Sequence, residues 1–135
     1  MLSIPKRVVS DYAIEKHISL DLAEYHFQEL IKFLIVCASA QKRCAPSEAL
    51  DAPWHSFVMF TKEYRDFCLI NFGRIIDHDP SPKEKNVEAY VRTRALAAER
   101  FGDLDKNFWP KGELGATCCG ATMCGAVIDE VAAVA

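Results

Sequence analysis

Apolar and aromatic side chains recur at steps of three or four residues between Ser47 and Gly73, and this run constrains the fold most strongly. A helix has about 3.6 residues per turn, so such steps place side chains on one face. Ser47 suits the N-cap and Gly73 the C-terminal stop. Pro53 is expected to divide a short leading turn from the main helix. Aromatic residues outside the stripe predict a central helix in a bundle. The stripe consists of Leu50, Trp54, Phe57, Thr61, Tyr64 and Cys68.

Three other segments show the same helical period. Residues 5–18 predict a short first helix. A second helix is expected to follow, with Ser19 or Asp21 as its cap. The last helix is predicted from the capping box at residues 81–84 to about Phe101.

No strand pattern of alternating apolar residues occurs in the sequence. The predicted fold class is therefore all-α, with a single-domain bundle of about four helices over residues 1–110. Residues 111–135 are predicted to form an irregular, flexible tail that contains cysteine and glycine. Phe108 and Trp109 are expected to anchor the turn-rich arm before that tail.

Charge and hydropathy argue against two classes of partner. The formal net charge is -3, and acidic and basic residues are interleaved, so nucleic acid is not an expected partner. No apolar run reaches the roughly 18 residues of a membrane span, and the start lacks the apolar run of a signal peptide. The protein is therefore predicted to be cytoplasmic and to have no membrane partner. A protein partner is compatible with these features, and the oligomeric state is left open.

Asp51, His55 and His78 form the candidate polar site. Asp51 and His55 are four residues apart and share a helix face, while His78 follows in an acidic loop at residues 77–80. An aspartate that accepts from one imidazole nitrogen leaves the other nitrogen free as a base or metal ligand. One interpretation is a metal or acid–base site, with zinc or another transition metal as cofactor. The other is a polar latch that ties the loop to the helix.

The tail contains three closely spaced thiols, Cys118, Cys119 and Cys124. Flexible glycines between them would let the sulfurs converge on a soft metal such as zinc or copper(I). The spacing differs from the paired C-x-x-C of a structural zinc site, and a fourth ligand is missing. A thiol or metal carrier and a plain disordered tail are therefore both left open.

The three remaining cysteines are expected to be structural. Cys37 and Cys68 lie on apolar helix faces and are predicted to be small core side chains. Cys44 lies in a basic loop beside Lys42 and Arg43, whose charges can lower a thiol pKa. No base neighbours Cys44 in the sequence, which argues against a catalytic nucleophile.

Several catalytic signatures are absent from the sequence: a glycine-rich phosphate loop, an H-E-x-x-H motif and a serine nucleophile elbow. The predicted function is therefore that of a non-enzymatic protein acting through interactions, with Asp51, His55 and His78 as an internal polar cluster. The alternative is a metal-binding protein or metal-dependent enzyme that uses these residues, or a carrier that uses the tail thiols. Side-chain separations beyond about 8 Å would exclude a shared metal, because metal–ligand bonds are near 2 Å.

The spacing of these residues resembles the core motif of the glycine-rich domain-containing protein-like family over about residues 46–80. Members often carry two histidines before the proline, whereas this chain has Asp77 in the first position. The resemblance implies that the Asp51, His55 and His78 positions act as a unit, and it implies no enzymatic activity. The motif residues are Asp51, Trp54, His55, Phe57, Thr61, Tyr64, Phe67, Cys68, Phe72, Gly73, His78 and Pro80.

Overall fold

The computed structural model describes residues 2–79, 83–111 and 125–128, with the backbone alone in 83–85 and 125–128. This described part contains five helices and two short strands, and it confirms the predicted all-α class. None of these helices is long and apolar enough to cross a membrane. The elements are α1 (Lys6–Lys16), α2 (Leu20–Ser39), α3 (Glu48–Val58), α4 (Thr61–Phe72), β1 (Ile76–Asp79), α5 (Lys83–Phe101) and β2 (Gly125–Ile128).

Helix α2 lies at the centre of the bundle and packs against α1, α3 and α5. Its cap is Ser19, whose hydroxyl accepts a hydrogen bond from the Leu22 amide at 3.1 Å. The inward face is apolar except for Glu29, and each large apolar side chain buried there stabilises the fold by about 1.5–3 kcal/mol. The buried apolar residues are Ala23, Phe27, Leu30, Phe33, Leu34, Val36 and Cys37.

The single helix predicted between residues 47 and 73 is two helices, α3 and α4, which meet at residues 59–60. In one straight helix, Phe57 and Phe67 would be about 15 Å apart at 1.5 Å per residue. The turn brings their ring centroids to 5.3 Å, so aromatic residues on both sides of it share one core. The apolar spacing continues through the turn, and periodicity therefore gave no sign of the division.

The outer ends of this pair agree with the sequence. The Ser47 hydroxyl accepts from the Leu50 amide at 3.3 Å, and Gly73 ends α4 with a φ of 73°. Gly102 ends α5 in the same left-handed region. Pro53, however, lies inside α3, so the separate leading turn expected before it is not formed.

Strands β1 and β2 form an antiparallel pair that was not predicted from the sequence. In its register Ile76 lies opposite Ile128, and His78 lies opposite Ala126. Four residues with two aspartates are too few to show a clear alternation, which explains why β1 was interpreted as a loop. Of the tail predicted over residues 111–135, residues 112–124 and 129–135 lie outside the described residues.

The arm after α5 docks on the bundle through its main chain as well as its side chains. Phe108 and Trp109 are buried, which confirms them as anchors. The Ser47 hydroxyl donates to the Phe108 carbonyl at 2.5 Å, and Arg94 Nε donates to the Trp109 carbonyl at 2.9 Å. The Tyr90 hydroxyl donates to the next carbonyl along the arm at 2.5 Å. The arm is therefore part of the folded unit.

Candidate functional site

A nearly buried hydrogen bond joins helix α3 to strand β1. Nε2 of His78 lies 2.9 Å from Oδ1 of Asp51, and the side chains are 10% and 11% exposed. An ionised carboxylate accepts hydrogen bonds but cannot donate them, so the imidazole donates and its proton is held on Nε2. The other ring nitrogen, Nδ1, is the one that can then accept a proton or a ligand.

Trp54 and Tyr64 support this bond from the core side. The Trp54 ring meets the His78 ring edge-on, with centroids 4.4 Å apart. Trp54 Nε1 donates to the Tyr64 hydroxyl at 3.0 Å, and that hydroxyl donates to the Ile76 carbonyl. Burial raises the pKa of Tyr64 well above its ordinary range, so the hydroxyl stays neutral and can donate. The stripe interpretation missed this role, although the polar tip of a buried Trp or Tyr requires a partner.

His55 occupies the outer side of the same cluster. Its ring centroid lies 5.4 Å from that of His78, and its side chain is exposed. Within the described residues, the hydrogen bond of the Asp51 carboxylate goes to His78 on β1 and not to His55 on its own helix. The structure therefore brings all three predicted residues together. Asp51 and His78 are hydrogen-bonded, and His55 lies beside them.

Strand β1 is anchored to the helical core at several positions along its length. Ile76 is fully buried, and its carbonyl is bonded by Tyr64. His78 is bonded to Asp51, and the Asp79 carboxylate lies 3.6 Å from Nη1 of Arg43 in the loop before α3. No sequence pattern indicated that Arg43 contacts this strand, because Arg43 and Asp79 are 36 positions apart in the chain.

An open groove of about 580 Å3 lies beside His78. It is lined by the apolar Val58 and Ile75 and by the charged Arg65 and Asp77. A second groove begins at Asp51 and His55 and is lined by charged residues of α1 and α3. Asp51 and His55 thus line one groove, and His78 lines the other.

The described residues contain no group of three or more His, Cys, Asp or Glu side chains arranged to hold a metal ion. Oδ1 of Asp51 and Nε2 of His78 face each other in a hydrogen bond. Of the predicted tail thiols, Cys118, Cys119 and Cys124 all lie outside the described residues.

Three cysteines in the described part of the chain are free thiols: Cys37, Cys44 and Cys68. All three are buried. Burial was expected for Cys37 and Cys68 on their helix faces, and it is confirmed. The pKa of Cys44 is lowered, first by a hydrogen bond from Cys37 and also by the positive charges of Arg92 and Arg43. Arg43 belongs to the basic loop noted in the sequence, whereas Arg92 comes from α5.

A second buried carboxylate, Glu29, lies on α2 away from this cluster. Its Oε1 accepts from Trp109 Nε1 at 3.0 Å, and its Oε2 pairs with the Lys32 ammonium at 2.9 Å. Both carboxylate oxygens are thereby occupied. No sequence motif predicted this contact, because Trp109 lies in the arm, 80 positions after Glu29.

The chain matches the family described as UCP032817-like over residues 3–93, which is more than half of its length. That description names no activity, substrate or partner. No curated protein and no solved structure gives a significant match.

The resemblance to the glycine-rich domain-containing protein-like family is wrong, because residues 46–80, which carry it, fall inside the match to a different family. The aromatic members of that motif, such as Trp54, Phe57 and Tyr64, are buried helix positions. Any helical bundle needs apolar side chains at such positions, so their spacing does not distinguish families. The chain belongs to the UCP032817-like family.

Proposed function

We propose that this is a non-enzymatic, cytoplasmic helical protein that acts through interactions, by binding an extended peptide segment along strand β1. The Asp51–His78 bond is its internal latch. The observation that carries the proposal is the pairing of β1 with residues 125–128, a segment from far along the chain, in antiparallel register. Strand addition of this kind supplies affinity through main-chain hydrogen bonds.

The anchoring of β1 supports this role. A two-stranded ribbon is marginally stable by itself in water. Here β1 is also fixed to the helical core by the buried Ile76 side chain and by the Asp51–His78 bond. A strand held in this way is preorganised, so a partner loses less conformational freedom on pairing.

The register indicates which segments would fit. Ile128 lies opposite the buried Ile76, and the small Ala126 lies opposite His78. A suitable segment is therefore extended, with a small residue two places before a β-branched residue. Asp77 and Asp79 in β1 disfavour acidic residues opposite them.

Two observations support the cytoplasmic assignment. The described cysteines are free thiols, as expected in a reducing compartment. The described helices include none that could cross a membrane.

Competition between a peptide and residues 125–128 tests the proposal. The probe is a fluorescein-labelled peptide with the sequence of residues 124–130, in which serine replaces Cys124. The full chain carries Val127→Pro, because proline removes an amide donor and weakens β2 pairing. Fluorescence anisotropy should give a Kd at least about tenfold lower for this variant than for the wild type, which retains its tethered competitor.

The matched control is the same peptide with proline in place of the Val127 residue, which should bind neither chain. Equal binding of both peptides to the Val127→Pro chain would show that the main-chain ladder is not recognised. Absence of binding to either chain would also overturn the proposal.

A metal-binding function is the second candidate, and the proximity of the His55 and His78 rings favours it. Asp51 would then leave its hydrogen bond with His78 to complete the ligand set. Metal analysis of protein purified without an affinity tag tests this candidate. Stoichiometric zinc, iron or copper that is lost in His55→Ala would support it, and metal-free folded protein would exclude it.

A further inference from the structure

A groove of about 520 Å3 is lined by the end of α2, by the segment that follows it and by α5. It shares no lining residue with the two grooves beside Asp51 and His78. Val36 from α2 and Leu96 from α5 supply apolar surface to it, and Leu96 keeps 36% of its surface exposed. A concave, partly apolar surface of this volume is typical of sites that bind small organic molecules.

Positive charge is concentrated in the same groove. Its charged lining residues are the cations Lys42, Arg92 and Arg100 and the carboxylate Glu99. Three positive charges and one negative charge give this lining a formal charge of +2, whereas the whole chain has a net charge of -3. Within the described residues, none of the three cations forms a salt bridge. Positive charge gathered in a cleft of an acidic protein indicates an anionic ligand.

The spacing on α5 alternates charge with apolar surface. Arg92, Leu96 and Arg100 follow one another at steps of four residues, so they share one face of the helix. At 1.5 Å per residue, the two arginines lie about 12 Å apart along the helix axis, with Leu96 between them. This face therefore suits a ligand that combines an anionic head group with an apolar chain.

Arg92 is held in place and keeps donors that the fold does not use. It is half-buried, and its Nη2 donates to the Arg43 carbonyl at 2.5 Å. Its Nε has no hydrogen-bond partner within the described residues. A guanidinium carries five N–H donors in a rigid plane that matches a carboxylate or a phosphate. A guanidinium that is already oriented loses little further freedom when it binds such an anion.

The end of α2 does not account for these charges. Basic side chains often lie at a helix C-terminus because the last carbonyls lack partners within the helix. Here the carbonyls of residues 35–38 accept hydrogen bonds from the Ser39 hydroxyl, the Ala40 amide and the Arg74 guanidinium. The cations of the groove are therefore not required to cap this helix.

We propose that this groove binds a small amphiphilic anion, with its charged head against Arg92 and its apolar chain along Leu96 and Val36. Lys42 and Arg100 attract the anion from exposed positions at the same groove. This site is separate from strand pairing along β1, so either proposal can fail without the other.

Isothermal titration calorimetry of the full chain at low ionic strength tests the site, because salt screens exposed charges. The first probe is octanoate, below the concentration at which it forms micelles, and octyl phosphate is the second. Octanol, which has the same chain without the charge, and inorganic phosphate, which has the charge without the chain, are the matched controls. At least one of the two amphiphiles should bind at a single site, with a Kd at least about tenfold lower than that of either control. The tighter amphiphile identifies the head group.

Variants of the chain locate the bound anion. Arg92→Gln should raise the Kd of the tighter amphiphile at least about tenfold, because it removes charge-assisted hydrogen bonds. Lys42→Gln combined with Arg100→Gln should raise the Kd about threefold, since both side chains are exposed. Lys6→Gln removes an exposed charge from α1 and should leave the Kd unchanged. Circular dichroism verifies that each variant is folded, and the variant with two exposed substitutions decides the question if Arg92→Gln is not.

Three results would overturn the proposal. The first is that neither octanoate nor octyl phosphate binds the wild-type chain. The second is that octanol or inorganic phosphate binds as tightly as the amphiphiles, which would show that charge and chain are not recognised together. The third is that the Kd in the variant with both Lys42→Gln and Arg100→Gln equals the Kd in Lys6→Gln, which would place the anion outside this groove.

Discussion

Two buried carboxylates in this protein each accept a hydrogen bond from a ring N–H, yet their surroundings differ. Glu29 accepts from the Trp109 indole and pairs with Lys32, so both of its oxygens are satisfied inside the bundle. Asp51 accepts from the His78 imidazole, beside the exposed His55 and two open grooves.

The difference lies in what each partner can do. An indole N–H does not titrate and cannot accept a proton, so the Glu29 contact serves only to dock the arm. An imidazole keeps a second nitrogen and can change its charge, so the Asp51 contact can respond to a ligand or to a strand partner. A buried carboxylate thus indicates function only when its hydrogen-bond partner can still bind a proton or a ligand.

The largest expected effect is at Glu29. Glu29→Ala should lower the free energy of unfolding by about 3 kcal/mol, because it leaves the Trp109 N–H buried without an acceptor and also removes the partner of Lys32. Urea unfolding at pH 7 measures this loss. Glu24→Ala, at an exposed position on the same helix, is the control. If Glu29→Ala lowers the free energy of unfolding no more than Glu24→Ala does, the structural role assigned to Glu29 is wrong.

The Asp51–His78 bond should show a smaller interaction free energy that is specific to these two residues. A double-mutant cycle with Asp51→Ala and His78→Ala should give an interaction free energy of about 1–2 kcal/mol, as for a partly buried hydrogen bond to a charged group. The parallel cycle with Asp51→Ala and His55→Ala should give a value near zero. Equal couplings in the two cycles would mean that Asp51 does not distinguish its two neighbours.

His26 tests a half-buried imidazole that is hydrogen-bonded to a tyrosine hydroxyl. Its Nδ1 lies 2.8 Å from the Tyr12 hydroxyl, and burial lowers its pKa below the ordinary value of 6.5. The unfolded chain therefore binds the proton more readily, so this contribution to stability is present above pH 6.5 and is lost as the pH falls through the folded pKa.

The measurement is the urea midpoint of the wild type and of His26→Gln at pH 7.5 and pH 5. The wild type should lose more stability on acidification than the variant. Parallel losses in the two proteins would show that His26 does not contribute.

The smallest effect is expected for a carboxylate in solvent. Lys62 and Asp66 pair at 2.9 Å on α4, with side chains 84% and 50% exposed. Lys62→Ala should not change the urea midpoint measurably, because an exposed pair gains little over its hydrated ions. A clear fall in the urea midpoint would show that burial does not determine how strongly a carboxylate contact stabilises the fold.

Local patterns predicted the helices well and the contacts between distant elements poorly. Helix starts at Ser19 and Ser47 and stops at Gly73 and Gly102 follow from chemistry within a few residues. The turn at residues 59–60 does not, because the apolar period that places Phe57 and Phe67 in the core continues through it.

The candidate site was predictable in its members but not in its bonding. The spacing of Asp51 and His55 suggested a bond within the helix, whereas the carboxylate bonds to His78 across a tertiary contact. Strand β1 depends on residues 125–128 and on Arg43, both distant in the chain, and no local window contains that information.

Amide hydrogen exchange in β1 tests most directly whether the Asp51–His78 bond holds this strand in place. The amides of residues 76–79 are followed in the wild type, in His78→Ala and in His55→Ala. Loss of a hydrogen bond of about 1.4 kcal/mol should speed their exchange about tenfold in His78→Ala, with little change in His55→Ala. Unchanged protection of these amides in His78→Ala would contradict the account, since β1 would then be held without the Asp51–His78 bond.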